Sequence, residues 1–197
     1  MAVLRVGARR AATDAEGPGT RYAVWLQGCS IRCAGCCNPH LFDPAGGEGI
    51  EVSSLLREVA EARDAIEGVS VLGGEPFDQA QALSPFVQGV RELGLGVIVF
   101  TGFSLEQLRE RDDTAVADVL AATDVVVDGR YDAALPETHR MWAGSANQRF
   151  HYLTRRYSPA IEAGPGGRAV DSVEISIDPC GGVHLNGWPL GMHASPL

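Results

Sequence analysis

The chain contains no lysine: all 16 basic residues are arginines, set against 25 Asp and Glu for a formal charge of −9. The arginines form no basic run, which leaves a nucleic-acid surface without electrostatic support. No apolar run exceeds strand length, so a membrane-spanning helix is excluded. Arg9-Arg10 leads into Ala-Ala-Thr-Asp-Ala-Glu, so the apolar core of a secretory signal does not follow it. The five histidines, His40, His139, His151, His184 and His193, show no paired metal spacing. Internal repeats and low-complexity segments are absent as well. These absences point to a soluble, cytoplasmic protein. The lack of lysine carries no mechanistic reading of its own.

What the chain does have is enough apolar residue for one core, 45% over 197 residues, and a concentration of cysteine. Of five cysteines, Cys29, Cys33, Cys36 and Cys37 fall within nine residues and Cys180 lies far away. An odd number crowded into one loop makes a poor disulfide framework and a good metal site.

Hydrophobic periodicity gives an alternating pattern. Tyr22 to Leu26 reads as a strand running into the cysteine loop, and Gly46 to Gly49 as a flexible turn. Val52, Leu55, Leu56, Val59 and Ala60 share one helical face. Val69 to Leu72 reads as a strand, Gln79 to Leu93 as a helix with Pro85 irregular, and Gly96 to Phe100 as a strand. Ser104-Leu105-Glu106-Gln107 is a capping box opening a third helix, and Arg109 to Asp113 its solvated end. Val125 to Val127 is the next strand. The alternation predicts an α/β fold with a parallel sheet, either a barrel or a doubly wound sheet. After Tyr157 the pattern changes. Gly164 to Gly167 reads as a loop, and Val173 to Ile177 with Gly182 to Leu185 as a hairpin. We therefore divide the chain into a domain of residues 1–156 and a C-terminal β extension of residues 157–197.

Four polar segments each follow a strand: Gln27-Gly28-Cys29, Gly73-Gly74-Glu75-Pro76, Thr101-Gly102 and Asp128-Gly129. In a parallel βα sheet these ends share one rim, where active sites are built. The loop Cys29-Ser30-Ile31-Arg32-Cys33-Ala34-Gly35-Cys36 has C-x3-C-x2-C spacing. Three such thiolates suit three irons of a [4Fe–4S] cube, with the fourth iron open to a substrate. Two other readings stand beside it: a Cys33/Cys36 redox pair, and zinc held with Cys37 or His40. Gly73 to Pro76 alone reads equally as a strand-ending turn, and Asp128-Gly129 as an Asp-Gly turn. Cys37 reads as a bystander, Cys180 as a structural or surface thiol, Trp25 as core, and Trp142 and Trp188 as surface anchors.

The cysteine spacing resembles that of the radical S-adenosylmethionine (SAM) superfamily. Members commonly place an aromatic residue before the third cysteine, where this chain has Gly35; the activating proteins of anaerobic ribonucleotide reductase carry glycine there too. The chain resembles that family also at Gly17-Pro18-Gly19-Thr20-Arg21, Gly73 to Pro76, Phe100-Thr101-Gly102-Phe103, Val127 to Tyr131 and Trp142 to Gln148, in order over about residues 15 to 155. The resemblance implies a partial (β/α) barrel of about five to six parallel strands. It implies a [4Fe–4S] cluster on Cys29, Cys33 and Cys36, and SAM bound by Gly73, Gly74, Glu75, Thr101 and Asp128. It further implies reductive SAM cleavage to a 5′-deoxyadenosyl radical, which activates a glycyl-radical enzyme. The expected partners are that enzyme, most specifically the anaerobic ribonucleotide reductase, and a flavodoxin- or ferredoxin-type electron donor; a homodimer is compatible. Two other functions stay open: radical SAM chemistry on a small molecule or peptide, and a zinc or iron–sulfur module without catalysis.

Overall fold

The computed structural model describes residues 1–164, 172–177 and 181–188. Nine strands and four α-helices are described: β1 (Val3–Thr13), β2 (Arg21–Leu26), β3 (Glu48–Glu51), α1 (Val52–Ala62), β4 (Gly68–Gly73), α2 (Ala80–Glu92), β5 (Gly96–Thr101), α3 (Leu105–Arg109), α4 (Thr114–Ala122), β6 (Val125–Asp128), β7 (Arg149–Tyr152), β8 (Ser172–Ile177) and β9 (Val183–Trp188). Seven form one sheet in the order β3-β1-β2-β4-β5-β6-β7.

The parallel strands are β2, β4, β5 and β6, four in place of the expected five to six. β1, β3 and β7 flank them antiparallel. The physical reason lies in the connections. Parallel pairing needs a crossover, usually a helix. The segments joining β1 to β2 and β6 to β7 contain no helix, so the chain returns antiparallel. The seven strands form an open row with β3 and β7 at its ends.

One face of the sheet carries the main core. Tyr22, Val24 and Leu26 of β2, Val69 and Val71 of β4, and Val97 and Val99 of β5 pack with Leu55 and Val59 of α1, Leu83, Phe86, Val87 and Val90 of α2, and Val116 and Val119 of α4. Pro85 lies inside α2 without ending it. Its neighbours Leu83, Phe86 and Val87 are fully buried, and tertiary burial outweighs the lost backbone hydrogen bond. The expected third helix is two: α3 keeps its capping box, and Asp113 caps a new start by accepting from Ala115 and Val116. Asp113 is therefore a helix start and does not belong to a solvated helix end.

The opposite face is smaller. Ile98, Val125 and Val127 are covered by Phe150, Tyr152, Tyr157 and Ile161, the last two beyond residue 156. Arg21 is fully buried. Its guanidinium donates to Tyr157 Oη (2.6 Å), Val69 O (2.7 Å) and Ser70 Oγ (3.2 Å), which satisfies a charge that would otherwise be costly there.

β8 and β9 form the expected hairpin, antiparallel from Ser172↔Trp188 to Ile177↔Val183. Glu174 accepts from Thr13 Oγ1 and Asp14 N, and Asn186 donates to Thr13, so one hairpin face sits on the end of β1. Val173, Ile175, Ile177, Val183 and Leu185 are exposed. Cys180 and most of the Gly164–Gly167 loop lie outside the described residues. Among the described residues, no helix is long and apolar enough to cross a membrane.

Gly187 N donates to Glu16 (2.9 Å). Burial pushes the Glu16 carboxyl up from 4.5 to about 7, aided by the nearby charge of Glu174 and opposed by the Gly187 and Asn186 donors. A raised acid binds its proton more tightly when folded, so its stabilising contribution is complete below pH 4.5 and lost as pH rises through about 7. Wild type should therefore lose up to about 3 kcal/mol relative to Glu16→Gln across that window. Urea unfolding of both proteins at several pH values checks this; a pH-independent difference would mean that Glu16 titrates alike in the folded and unfolded chain.

Candidate metal centre and ligand rim

Because β2, β4, β5 and β6 are parallel, Cys29, Gly73-Gly74, Thr101 and Asp128 all lie at one end of the sheet. The cysteine loop leaves β2 and is closed at its base. Gly28 N donates to Leu41 O (2.8 Å) and Cys29 N to Phe42 O (3.3 Å), while the Gln27 side chain donates to His40 O and Asp43 O. Residues 29–41 are thus pinned at both ends, with the thiols on the more exposed stretch between.

Cys29, Cys33 and Cys36 are half-buried free thiols and Cys37 is exposed. Cys29 Sγ accepts from Arg32 N and Cys36 Sγ from Asn38 N, each at 3.4 Å. Backbone donors of this kind favour thiolates. Burial nevertheless raises the Cys29 thiol. Cys36 falls to about 6, first through the Cys37 thiol and then through the Asn38 N–H, against the opposing effect of burial. Gly35 adopts φ +74, and a Cβ there would stand 3.2 Å from Ala133 Cβ with Tyr131 beyond. The left-handed backbone strains any other residue there, and an added Cβ would need Ala133 to give by a few tenths of an ångström. Among the described residues, no three His, Cys, Asp or Glu side chains gather as ligands of one metal ion. A cube asks less of the bare loop, since each cysteine binds a different iron. Three free thiols on a closed, donor-lined loop fit such a cluster.

The β4 exit is joined directly to this loop. Gly74 N donates to Leu26 O (2.7 Å) and Glu75 N to Gly28 O (2.8 Å). A Cβ on Gly74 would lie 1.9 Å from Gly28 O, and one on Gly73 2.2 Å from Leu26 N. The two glycines are required by this backbone approach, whatever binds above them.

Glu75 is buried, and its carboxylate accepts from Phe77 N (2.9 Å), Thr101 Oγ1 (2.8 Å) and Gly102 N (2.9 Å). Burial pushes it up to about 7, with those three donors opposing. Thr101 also accepts from Phe103 N (3.1 Å). Both side chains are thereby spent on joining the β4 turn to the β5 exit. Asp128 is fully buried. It accepts from Leu105 N (2.6 Å) and Arg149 (2.7 Å), and His151 Nε2 stands 2.9 Å away. Burial alone would raise this acid, but Arg149, Leu105 and His151 hold it below the usual carboxylate range. Asp128 straps β6, β7 and the start of α3 together. Asn147 and Gln148 bind Arg130 O and Gly129 O and tie down their own loop.

Sequence reasoning gave no role at the site to Gln27, Asp78, Gln79, Arg149 or His151. Asp78 accepts from Ser30 N (2.7 Å) and Ser30 Oγ (2.8 Å). Gln79 accepts from Arg5 N and donates to Arg5 O and Gln27 O. The available signal was position: Asp78 and Gln79 follow Gly-Gly-Glu-Pro within one turn.

Residues 15–151 match the model of a family described as a 4Fe-4S single cluster domain. The chain is 29% identical over 148 residues to the anaerobic ribonucleoside-triphosphate reductase-activating protein of Pasteurella multocida, covering 71% of this chain and 92% of that protein. The protein of that name from Vibrio cholerae is 30% identical over 147 residues, with the same coverage of each. The one from Enterobacteria phage T4 is 28% identical over 140 residues, 68% of this chain and 85% of that protein.

The backbone contact sets an expected contrast between two glycine substitutions. Gly94 has φ +80 with nothing within 4 Å of an added Cβ, so Gly94→Ala should cost only about 1–2 kcal/mol of conformational strain. Gly74→Ala must push the exits of β2 and β4 apart and should cost about 3–5 kcal/mol. Urea midpoints of the two variants measure the contrast; equal costs would show that the rim relaxes freely.

Proposed function

From the premise that the chain belongs to the 4Fe-4S single cluster domain family and to that of the anaerobic ribonucleoside-triphosphate reductase-activating proteins, we propose how its residues serve radical activation of such a reductase. The protein is an iron–sulfur activating enzyme of a glycyl-radical enzyme. Cys29, Cys33 and Cys36 hold the [4Fe–4S] cluster. When bound and reduced, the cluster supplies one electron that splits SAM to methionine and a 5′-deoxyadenosyl radical, which takes a hydrogen atom from a glycine of the reductase. A flavodoxin- or ferredoxin-type protein delivers the electron.

The observation that carries this reading is the seam between the cysteine loop and the Gly-Gly-Glu-Pro turn, two backbone hydrogen bonds of 2.7 and 2.8 Å. It supports a SAM site beside the cysteine loop. Since Glu75 and Thr101 are occupied with each other, we assign the SAM ammonium to main-chain carbonyls of Gly73 and Gly74. Glu75 and Thr101 then hold the shape of that turn. We assign Asp128 the same kind of role at β6, where Arg149 and Leu105 occupy its oxygens. The partial barrel of residues 1–156 is the working unit, completed by Tyr157 and Ile161 over its second face.

The test is anaerobic. Protein reconstituted with iron and sulfide should release 5′-deoxyadenosine from SAM when reduced, and a cognate reductase should then show a glycyl doublet by electron paramagnetic resonance. Cys33→Ser should abolish both. Nucleoside formation that persists in the variant would contradict the ligand assignment. Nucleoside without a doublet would move the substrate elsewhere.

A further inference from the structure

The turn after β4 does more than present main chain to a ligand. Its residues reach three neighbours in succession. Glu75 binds the β5 exit through Thr101 and Gly102. Gln79 binds Arg5 of β1 and Gln27 just beyond β2. Between them, Asp78 turns both carboxylate oxygens onto one residue, Ser30, taking its N–H at 2.7 Å and its Oγ–H at 2.8 Å. Ser30 directly follows Cys29. The next residue, Ile31, lies against Gly102, where an added Cβ would come within 2.7 Å of Ile31 Cδ1.

We propose that Asp78 is a positioning residue that holds the cysteine loop in register with the SAM-binding turn. The inference rests on the function proposed above. The backbone seam fixes Gly28 but stops short of the thiols, which sit on a loop whose outer stretch is exposed. Beyond Gly28, Asp78 is a second tie from the β4 turn to that loop. It acts one residue past the first ligand, where a swing of the loop would move Cys29 relative to Gly73 and Gly74. Gln79 anchors the neighbouring strands, so removing Asp78 frees the loop while the strand exits stay tied. Two charge-assisted bonds to one residue also outlast a single neutral one.

Asp78→Asn removes the charge and one of the two acceptors, and Ser30→Ala removes one bond from the other side. Three readouts apply to the full chain. In the apo protein, hydrogen exchange of the segment Cys29 to Cys33 should quicken about tenfold in Asp78→Asn, the loss of about 1.4 kcal/mol. After reconstitution, iron and sulfide per chain should stay near wild type because all three thiols remain. The SAM concentration giving half of the change in the reduced cluster's paramagnetic signal should rise about tenfold, with Ser30→Ala intermediate. A merely structural residue would lower cluster content and leave the SAM response of loaded clusters unchanged, and that result overturns the proposal. Unchanged exchange in the apo loop overturns it too. A wild type that loads no SAM-responsive cluster would instead refute the function on which the inference rests, and would be seen before any variant is compared.

Discussion

The rim depends on a backbone contact where a side chain has no room. β2 and β4 leave the sheet side by side, and the second glycine of the β4 turn lies against the carbonyl of Gly28. Two hydrogen bonds close the seam. Everything chemical follows from it. The cysteine loop begins one residue after Gly28, the turn proposed to hold SAM begins at Gly73, and their distance is set by main chain. Main-chain spacing resists change better than side-chain spacing, because no rotamer can relax it.

Around that seam the buried polar groups form a second system. Glu75, Asp128 and Arg21 are all buried, and each has several partners. Glu75 joins β4 to β5, Asp128 joins β6 to β7 and α3, and Arg21 joins β2 to β4 and Tyr157. A buried carboxylate that already accepts several internal bonds has fewer positions left for an incoming donor. Polar residues at strand ends thus divide by what already occupies them. The thiols accept one backbone N–H each at Cys29 and Cys36, while the carboxylates of the same rim accept three or more.

Much of this was legible in the sequence. The β-branched strands, the capping box at Ser104 and the glycines at strand ends have local causes, and all appear where periodicity and turn chemistry put them. What was hidden depends on partners distant in sequence. β7, Arg-Phe-His-Tyr, lacks the apolar run of a central strand because it lies at the sheet edge. β3 was read as a flexible turn, since Gly49 interrupts it; pairing with β1 makes it a strand. Asp128 was legible only as a polar strand end, because its partners are not local. The arginine that occupies it lies 21 residues on. The roles of Asp78 and Gln79 were hidden for the same reason, as their partners lie 48 to 74 residues away.

The edges of the sheet show why the parallel set stops at four. Each further parallel strand would need another crossover helix, and the segment after β6 spends its residues otherwise. Between Gly129 and Arg149, Glu137 accepts from His139 and Arg140, and Arg140 reaches Gln148 O and Ala146 O. Gln148 in turn receives Gly144 and Ser145 and donates to Gly129. This loop satisfies its own backbone without a helix, and so delivers β7 antiparallel beside β6. One of its residues, Ala133, comes back against Gly35 in the cysteine loop. The segment that ends the parallel sheet therefore also bounds the cysteine loop. A crossover helix in its place would lengthen the sheet and take away that wall.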